Sequence, residues 1–195
     1  PEMRLGLADL LAAEGRAQEA ALEYANFAAF WRKGMNAGEA RQALEKAVQL
    51  DPLNCAAHQE LAHLYSLTGD VDKAREMRLA VANLQMKAGD DLGAIETFAA
   101  ILKTHPEDIA SYKAMIEAAA RAGDDERCMS AMHALAEWLT KINAPSEAIA
   151  VYRQALDRSP EDEKALKALT KLYRRLGDLL AASEMIERLG DVLAG

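Results

Sequence analysis

Hydrophobic residues recur along this chain at the spacing of a single helix face. Leu61, Leu64 and Tyr65 stand at i, i+3 and i+4, and the same residue types return at the same spacing over residues 169–173. Such spacing indicates a buried stripe on an amphipathic helix. Stripes of this kind, with the turn residues between them, predict an all-α chain of eleven helices. The predicted helices span residues 3–14, 17–34, 38–50, 54–68, 71–88, 92–104, 108–122, 125–142, 146–158, 162–176 and 179–193.

Turn and cap residues separate these helices, and the same residue types recur every 54 residues. Proline cannot continue a helix, glycine takes the left-handed conformation found at helix ends, and aspartate caps helix N-termini. The residues that follow the interval are Pro52, Pro106 and Pro160; Gly15, Gly69, Gly123 and Gly177; and Asp70, Asp124 and Asp178. A period this strict indicates a repeat architecture built from three-helix units.

Small residues inside the helices keep the same interval and predict where helices approach closely. They are Ala40, Ala94 and Ala148, and Ala20, Ala74, Cys128 and Ala182. We therefore expect one α-solenoid domain over residues 1–195, with units at roughly 1–53, 54–107 and 108–161 and a partial unit at 162–195. Because the linkers are short, neighbouring helices should pack antiparallel.

The residues before Pro160 resemble the tetratricopeptide repeat, whose period is about 34 residues. With Pro160 as position 32 of that repeat, Ala148, Tyr152 and Ala155 fall at positions 20, 24 and 27, where the family has small, aromatic and small residues. The longer interval in this chain departs from the family. We explain it by overlapping repeats, in which the second helix of each unit closes one repeat and opens the next. The resemblance implies a right-handed superhelix.

The resemblance also implies a non-enzymatic scaffold or adaptor that binds a partner peptide or protein on its concave surface, without a cofactor. Two other roles stay open. The chain could be a structural self-assembly module that associates through its end helices, or the regulatory arm of a larger enzyme. Catalytic signals are weak, since His58 and His63 stand at i and i+5 and do not form the HExxH zinc pattern.

Charge and composition limit which kinds of ligand and which cellular compartment we expect. The net charge of −8 argues against nucleic acid as the main ligand, because phosphate contacts need a basic surface. No apolar run is long enough to span a membrane and no secretory leader is visible, so we expect a cytoplasmic protein without membrane insertion. Two cysteines cannot form a metal site alone. We expect Cys55 and Cys128 to be buried thiols, with a disulfide as the alternative.

Positive charge gathers near the end of the chain. Residues 163–195 carry a net charge of +1, whereas residues 1–162 carry −9. In the family, positions 2, 5, 9, 12 and 13 of a repeat's first helix face the ligand groove, so the resemblance implies a basic groove for a possibly acidic partner. The residues predicted to line it are Lys113, Arg121, Lys164, Lys167, Lys171, Arg174 and Arg175.

The last predicted helix is apolar round much of its circumference. Terminal repeats of a solenoid usually present a polar face. Either the chain is a segment of a longer array, which we expect, or this end packs against another copy in a homo-oligomer. The residues available for such an end contact are Leu180, Ile186, Leu189 and Leu193.

Overall fold

The protein is all-helical, as the hydrophobic spacing predicts. The computed structural model describes residues 2–32 and 37–194 and has no strand among them. Within those residues it contains eleven helices: α1 (Glu2–Ala13), α2 (Ala17–Arg32), α3 (Ala37–Leu50), α4 (Cys55–Leu67), α5 (Val71–Ala88), α6 (Asp91–Thr104), α7 (Ile109–Ala122), α8 (Asp125–Lys141), α9 (Pro145–Arg158), α10 (Glu163–Leu176) and α11 (Leu179–Ala194).

The helix boundaries agree with the sequence-based prediction to within two positions. The predicted end of the second helix, residues 33 and 34, lies outside the described residues. All-α architecture is therefore confirmed. The single domain predicted over residues 1–195 stays a prediction.

The turn chemistry read from the sequence is present in the structure. Gly15, Gly69, Gly123 and Gly177 all have a positive φ between 70° and 80°. Because this left-handed conformation is strained for residues with a Cβ, glycine ends these helices at the lowest cost. The caps Asp70, Asp124 and Asp178 each accept a hydrogen bond from the backbone N–H at position i+3.

The structure adds a second series of caps that the sequence analysis missed. Asn54, Asp108 and Asp162 follow the same interval, and each side chain accepts a backbone N–H at the start of the following helix. Their spacing was available in the sequence. The sequence analysis also missed Asn143. In the described part of the chain it is the one non-glycine residue with positive φ, at 61°. Gly89, which lies 54 residues earlier, also has a positive φ.

The chain divides into two compact units, residues 1–104 and 105–195. In the first unit each helix from α1 to α6 packs against the next. Its core includes Tyr24, Leu44 and Leu61. Tyr24 donates a hydrogen bond to Asp9, and Lys46 Nζ lies 3.0 Å from the Asp9 carboxylate, so this polar set joins α1, α2 and α3.

The second unit contains α7 to α11, each packed against its neighbour in sequence. The small residues predicted at close approaches are all buried, including Ala148 of α9, Cys128 of α8 and Ala182 of α11. The predicted apolar stripe of α10 is buried too, with Leu169 and Leu172 in the core.

The two cysteines are free thiols in different surroundings. Cys128 is fully buried, as predicted from its place in the small-residue series. Cys55 is only partly buried, so the prediction of two buried thiols is correct for Cys128 alone. Burial raises the pKa of both thiols, and the nearby Asp90 carboxylate adds to the rise at Cys55.

We expect Gly123→Ala to lower the free energy of unfolding by about 1–2 kcal/mol, because alanine is strained at positive φ. No atom lies within 4 Å of the added Cβ, so the loss would be conformational and not a clash. Gly190→Ala is the matched control, since Gly190 lies inside α11 with equally open space around it. That change should raise stability by about 0.5–1 kcal/mol. Urea unfolding followed by circular dichroism measures both, and equal effects of the two substitutions would contradict the assignment of Gly123 as a left-handed cap.

We expect Cys128 to react with iodoacetamide at least about tenfold more slowly than Cys55 in the native protein, because the thiolate is the nucleophile and Cys128 is inaccessible. In urea the two rates should converge. Peptide mass spectrometry after timed alkylation distinguishes the sites. Modification of native Cys128 at the unfolded rate would show that this helix packing is wrong.

Candidate functional site

The basic side chains of α10 line one wall of a cleft of about 480 Å³ in the second unit. We call it the basic cleft. The opposite wall comes from α8 and the floor from Tyr152 of α9. The lining residues are Glu137, Thr140, Tyr152, Lys164, Lys167, Ala168, Lys171, Leu172 and Arg175. Four cations therefore face one lining carboxylate.

Three of the four cations are held by contacts of different kinds. Lys164 Nζ lies 2.8 Å from Glu137 Oε1 across the cleft. Lys167 Nζ lies 2.5 Å from Glu163 Oε2 on its own helix. Arg175 Nη2 donates to the side-chain oxygen of Asn143 at 3.0 Å. Within the described chain Lys171 makes no ion pair or hydrogen bond, so its ammonium group is available to a ligand.

Tyr152 places a phenol on the floor of this cleft. The ring is buried. Burial raises the pKa of Tyr152 to about 12, and the Glu137 and Asp162 carboxylates add to the rise. The hydroxyl is therefore protonated at neutral pH. Since it makes no hydrogen bond to any residue that the structure describes, it can donate one to an anionic group in the cleft.

A histidine on α8 fixes the start of α10. His133 Nε2 donates to Asp162 Oδ2 at 2.5 Å, and both side chains are largely buried. The other carboxylate oxygen of Asp162 accepts the backbone N–H groups of Lys164 and Ala165. The pair thus ties the N-terminal end of α10, the helix that forms the basic wall, to α8. His133 is therefore largely buried, and its structural role explains it without catalysis.

The predicted groove residues do not all meet. Lys164, Lys167, Lys171 and Arg175 come together in the basic cleft. Arg174 is exposed on α10 but does not line it. Lys113 and Arg121 lie on α7, and Lys113 lines a different cleft. Sequence position alone did not reveal this separation, because it depends on which helices are neighbours.

This second cleft, of about 380 Å³, lies among α7, α8 and α9. We call it the apolar cleft. Its apolar lining includes Ile116, Leu135, Leu139 and Val151, beside Lys113. A cleft of about 320 Å³ at the corresponding positions of the first unit is more polar, where Thr97 donates to Gln85 at 2.8 Å. Equivalent clefts therefore carry different chemistry.

The four residues predicted for the end contact also do not all lie together. Ile186, Leu189 and Leu193 follow one another at i, i+3 and i+7 along one face of α11. Leu180 is the most exposed of the four. It lies nine residues before Leu189, and nine residues turn a helix by about 900°, or two and a half turns. Leu180 therefore lies on the opposite side of α11.

The described residues show no other chemical centre. No group of three or more histidine, cysteine or acidic side chains in residues 2–32 and 37–194 could hold a metal ion. His58 and His105 are buried, and His58 Nε2 contacts the carbonyl of Pro52 at 3.1 Å. None of the described helices is long and apolar enough to cross a membrane.

Comparison with known proteins gives a family and no curated relative. A search of curated proteins found no match. Among solved structures, BtubC from P. vanneervenii is 17% identical with a TM-score of 0.46, over 99% of this chain and 91% of that one. PilF of Pseudomonas aeruginosa is 16% identical with a TM-score of 0.43, over 90% and 78%.

Two family models described as tetratricopeptide repeat match residues 36–83 and 131–164. The first match covers α3, α4 and most of α5. The second begins within α8 and runs through α9 to the start of α10, which is close to the repeat predicted to end around Pro160. These two segments of the chain are therefore tetratricopeptide repeats.

Proposed function

We propose that this chain binds an acidic segment of a partner protein in the basic cleft of its second unit. Tetratricopeptide repeats are protein–protein interaction scaffolds, and this chain contains such repeats. The observation that carries the finer proposal is the alignment of four cations along one wall, opposite a single lining carboxylate.

The charges of the cleft favour a carboxylate-rich ligand. Lys171 has no partner among the described residues, and Lys167 is paired only with an exposed acid of its own helix. Exposed ion pairs of this kind contribute little to stability, so a ligand carboxylate could replace Glu163 at small cost. Charge-assisted hydrogen bonds from several cations would then give both affinity and dependence on salt.

The full set of four cations is a property of this helix and not of the repeat. At the positions of Lys164, Lys167, Lys171 and Arg175, the corresponding helix α4 has Ala56, Gln59, His63 and Leu67, and α7 has Ala110, Lys113, Glu117 and Arg121. The scaffold alone therefore does not require them. Lys164 also lies in the first turn of α10, where the helix dipole disfavours cations, so helix stability does not explain it.

The proposal includes a non-catalytic role in the cytoplasm. The basic cleft holds cations, one acid and a tyrosine, but no nucleophile beside a base. Free thiols at Cys55 and Cys128 fit a reducing compartment. The net charge of −8 disfavours nucleic acid as the ligand.

Reversing the charges of Lys167 and Lys171 should weaken binding of a fluorescein-labelled hexaglutamate peptide by at least about tenfold, because two charge-assisted contacts are lost. Fluorescence anisotropy measures this, and added salt should reduce the difference. Arg174→Glu is the matched control, since Arg174 is an exposed cation of the same helix that does not line the cleft. If Arg174→Glu weakens binding as much per charge as the other reversals, the attraction is general and the cleft is not the site.

Tyr152→Phe should leave the fold intact and weaken the same peptide by about threefold to tenfold, because one hydrogen bond is lost. The native hydroxyl has no partner in the described structure, so thermal unfolding should shift little or move upward. Loss of stability without loss of affinity would show that Tyr152 is only a core residue.

A further inference from the structure

One tyrosine of α10 has a buried hydroxyl without a hydrogen-bond partner. Tyr173 is 5% exposed, and its hydroxyl oxygen is buried and bonds to no residue that the structure describes. The large majority of buried side-chain polar atoms do have such a partner. The lone hydroxyl of Tyr173 therefore needs a physical explanation.

The repeat interval shows which partner this position has elsewhere in the chain. Shifted back by two intervals of 54 residues, Tyr173 becomes Tyr65 of α4. The Tyr65 hydroxyl donates to Glu45 Oε1 of α3 at 2.7 Å, and Arg41 Nε lies 3.6 Å from the same oxygen. Burial raises the pKa of Tyr65 to about 12, and the hydrogen bond to Glu45 adds to the rise. In the first unit the chain itself thus supplies a carboxylate as acceptor for this phenol.

The second unit has the opposite charge at the position of that carboxylate. Shifted forward by two intervals, Glu45 becomes Arg153 of α9. The guanidinium carbon of Arg153 lies 5.7 Å from the ring centroid of Tyr173. Within the described chain Arg153 makes no ion pair or hydrogen bond. Two donors without an acceptor, a phenol and a guanidinium, therefore lie beside each other between α9 and α10.

The surroundings of Tyr173 have the same elements as those of Tyr65. Every charged group that acts on Tyr65 belongs to α3 or is the cap Asp70 before α5. The counterparts of these two elements, α9 and the cap Asp178 before α11, are both described. The acceptor is therefore missing because an arginine replaces a glutamate, and not because a helix is absent.

This pair of residues is separate from the basic cleft. Two residues turn a helix by about 200°, so Tyr173 lies on the opposite side of α10 from Lys171. Neither Tyr173 nor Arg153 lines the basic cleft. A ligand bound by the pair would therefore make contacts that the acidic segment in that cleft does not make.

We propose that Arg153 and Tyr173 form a binding site for a side-chain carboxylate of a partner polypeptide, in the place that Glu45 fills for Tyr65. The carboxylate accepts the phenol O–H and the guanidinium N–H groups, whose planar arrangement matches a carboxylate. Arg153 is exposed and its side chain is long and flexible, so it can move off the ring and admit the ligand to the hydroxyl. A single guanidinium balances the one charge of a carboxylate better than the two charges of a phosphate group.

The probe for this site is N-acetylglutamate N-methylamide, which carries one side-chain carboxylate. We expect its titration into the full chain, at constant ionic strength, to shift the Nε–Hε resonance of Arg153 in NMR spectra to saturation. The glutamine analogue, which is neutral, should not. Tyr173→Phe should weaken binding by about threefold to tenfold, because one hydrogen bond is lost. Arg174 is the matched control in the same spectra, since it is an exposed arginine at the next position. Its resonance should show no saturable shift.

A second measurement supplies the acceptor from the chain itself. Arg153→Glu copies the arrangement of the first unit, so it should abolish binding of the probe. It should also raise the midpoint of thermal unfolding by about 2–4 °C more in the native background than in a Tyr173→Phe background, because only the native background has the hydroxyl. Comparison of the two backgrounds cancels any repulsion between the new glutamate and neighbouring acids.

Three results would overturn this assignment. Similar shifts at Arg153 and Arg174, or binding that Tyr173→Phe leaves unchanged, would show a general attraction of anions to arginine. Tighter binding of inorganic phosphate than of the glutamate derivative would make this a phosphate site. An equal effect of Arg153→Glu in both backgrounds would show that the hydroxyl does not face this position. None of these results depends on the hexaglutamate test, because that peptide is assigned to the other side of α10.

Discussion

Close contact between helices at small residues is the constraint on which this structure depends. Ala40, Ala94 and Ala148 are fully buried at equivalent positions, 54 residues apart. Cys128 of α8 is a fully buried small residue of the same kind. Protein interiors are packed at crystal-like density, so a longer side chain there would push the helices apart or leave the rotamer minimum. The regular spacing of these residues keeps the helix register, and the register in turn aligns the caps and the clefts.

With the backbone fixed in this way, function depends on what the repeats do not share. The cleft among α4, α5 and α6 and the apolar cleft among α7, α8 and α9 lie at equivalent positions. The first has Gln85 where the second has Leu139, and Thr97 where the second has Val151. The same helical scaffold therefore carries different chemistry in equivalent clefts, and some lining residues, such as Leu135 and Leu139, belong to the core as well.

α8 contributes to both clefts of the second unit. Leu135 and Leu139 line the apolar cleft, whereas Glu137 and Thr140, on another side of the helix, line the basic cleft. A helix that closes one repeat and opens the next must be buried on more than one side. α11 holds the equivalent position, which explains why it is apolar beyond what its contact with α10 buries.

The sequence alone determined the helices and their ends, because hydrophobic spacing, glycine conformation and aspartate caps act within a few residues of each other. Even the missed caps at Asn54, Asp108 and Asp162 follow the visible interval. The tertiary structure decided which side chains meet. It grouped Lys171 with Tyr152 and Glu137 and separated Lys113 from them. The grouping of Lys171 with Tyr152 and Glu137 and the separation of Lys113 depend on which helices become neighbours across the fold, and a local pattern carries no information about distances between residues far apart in sequence.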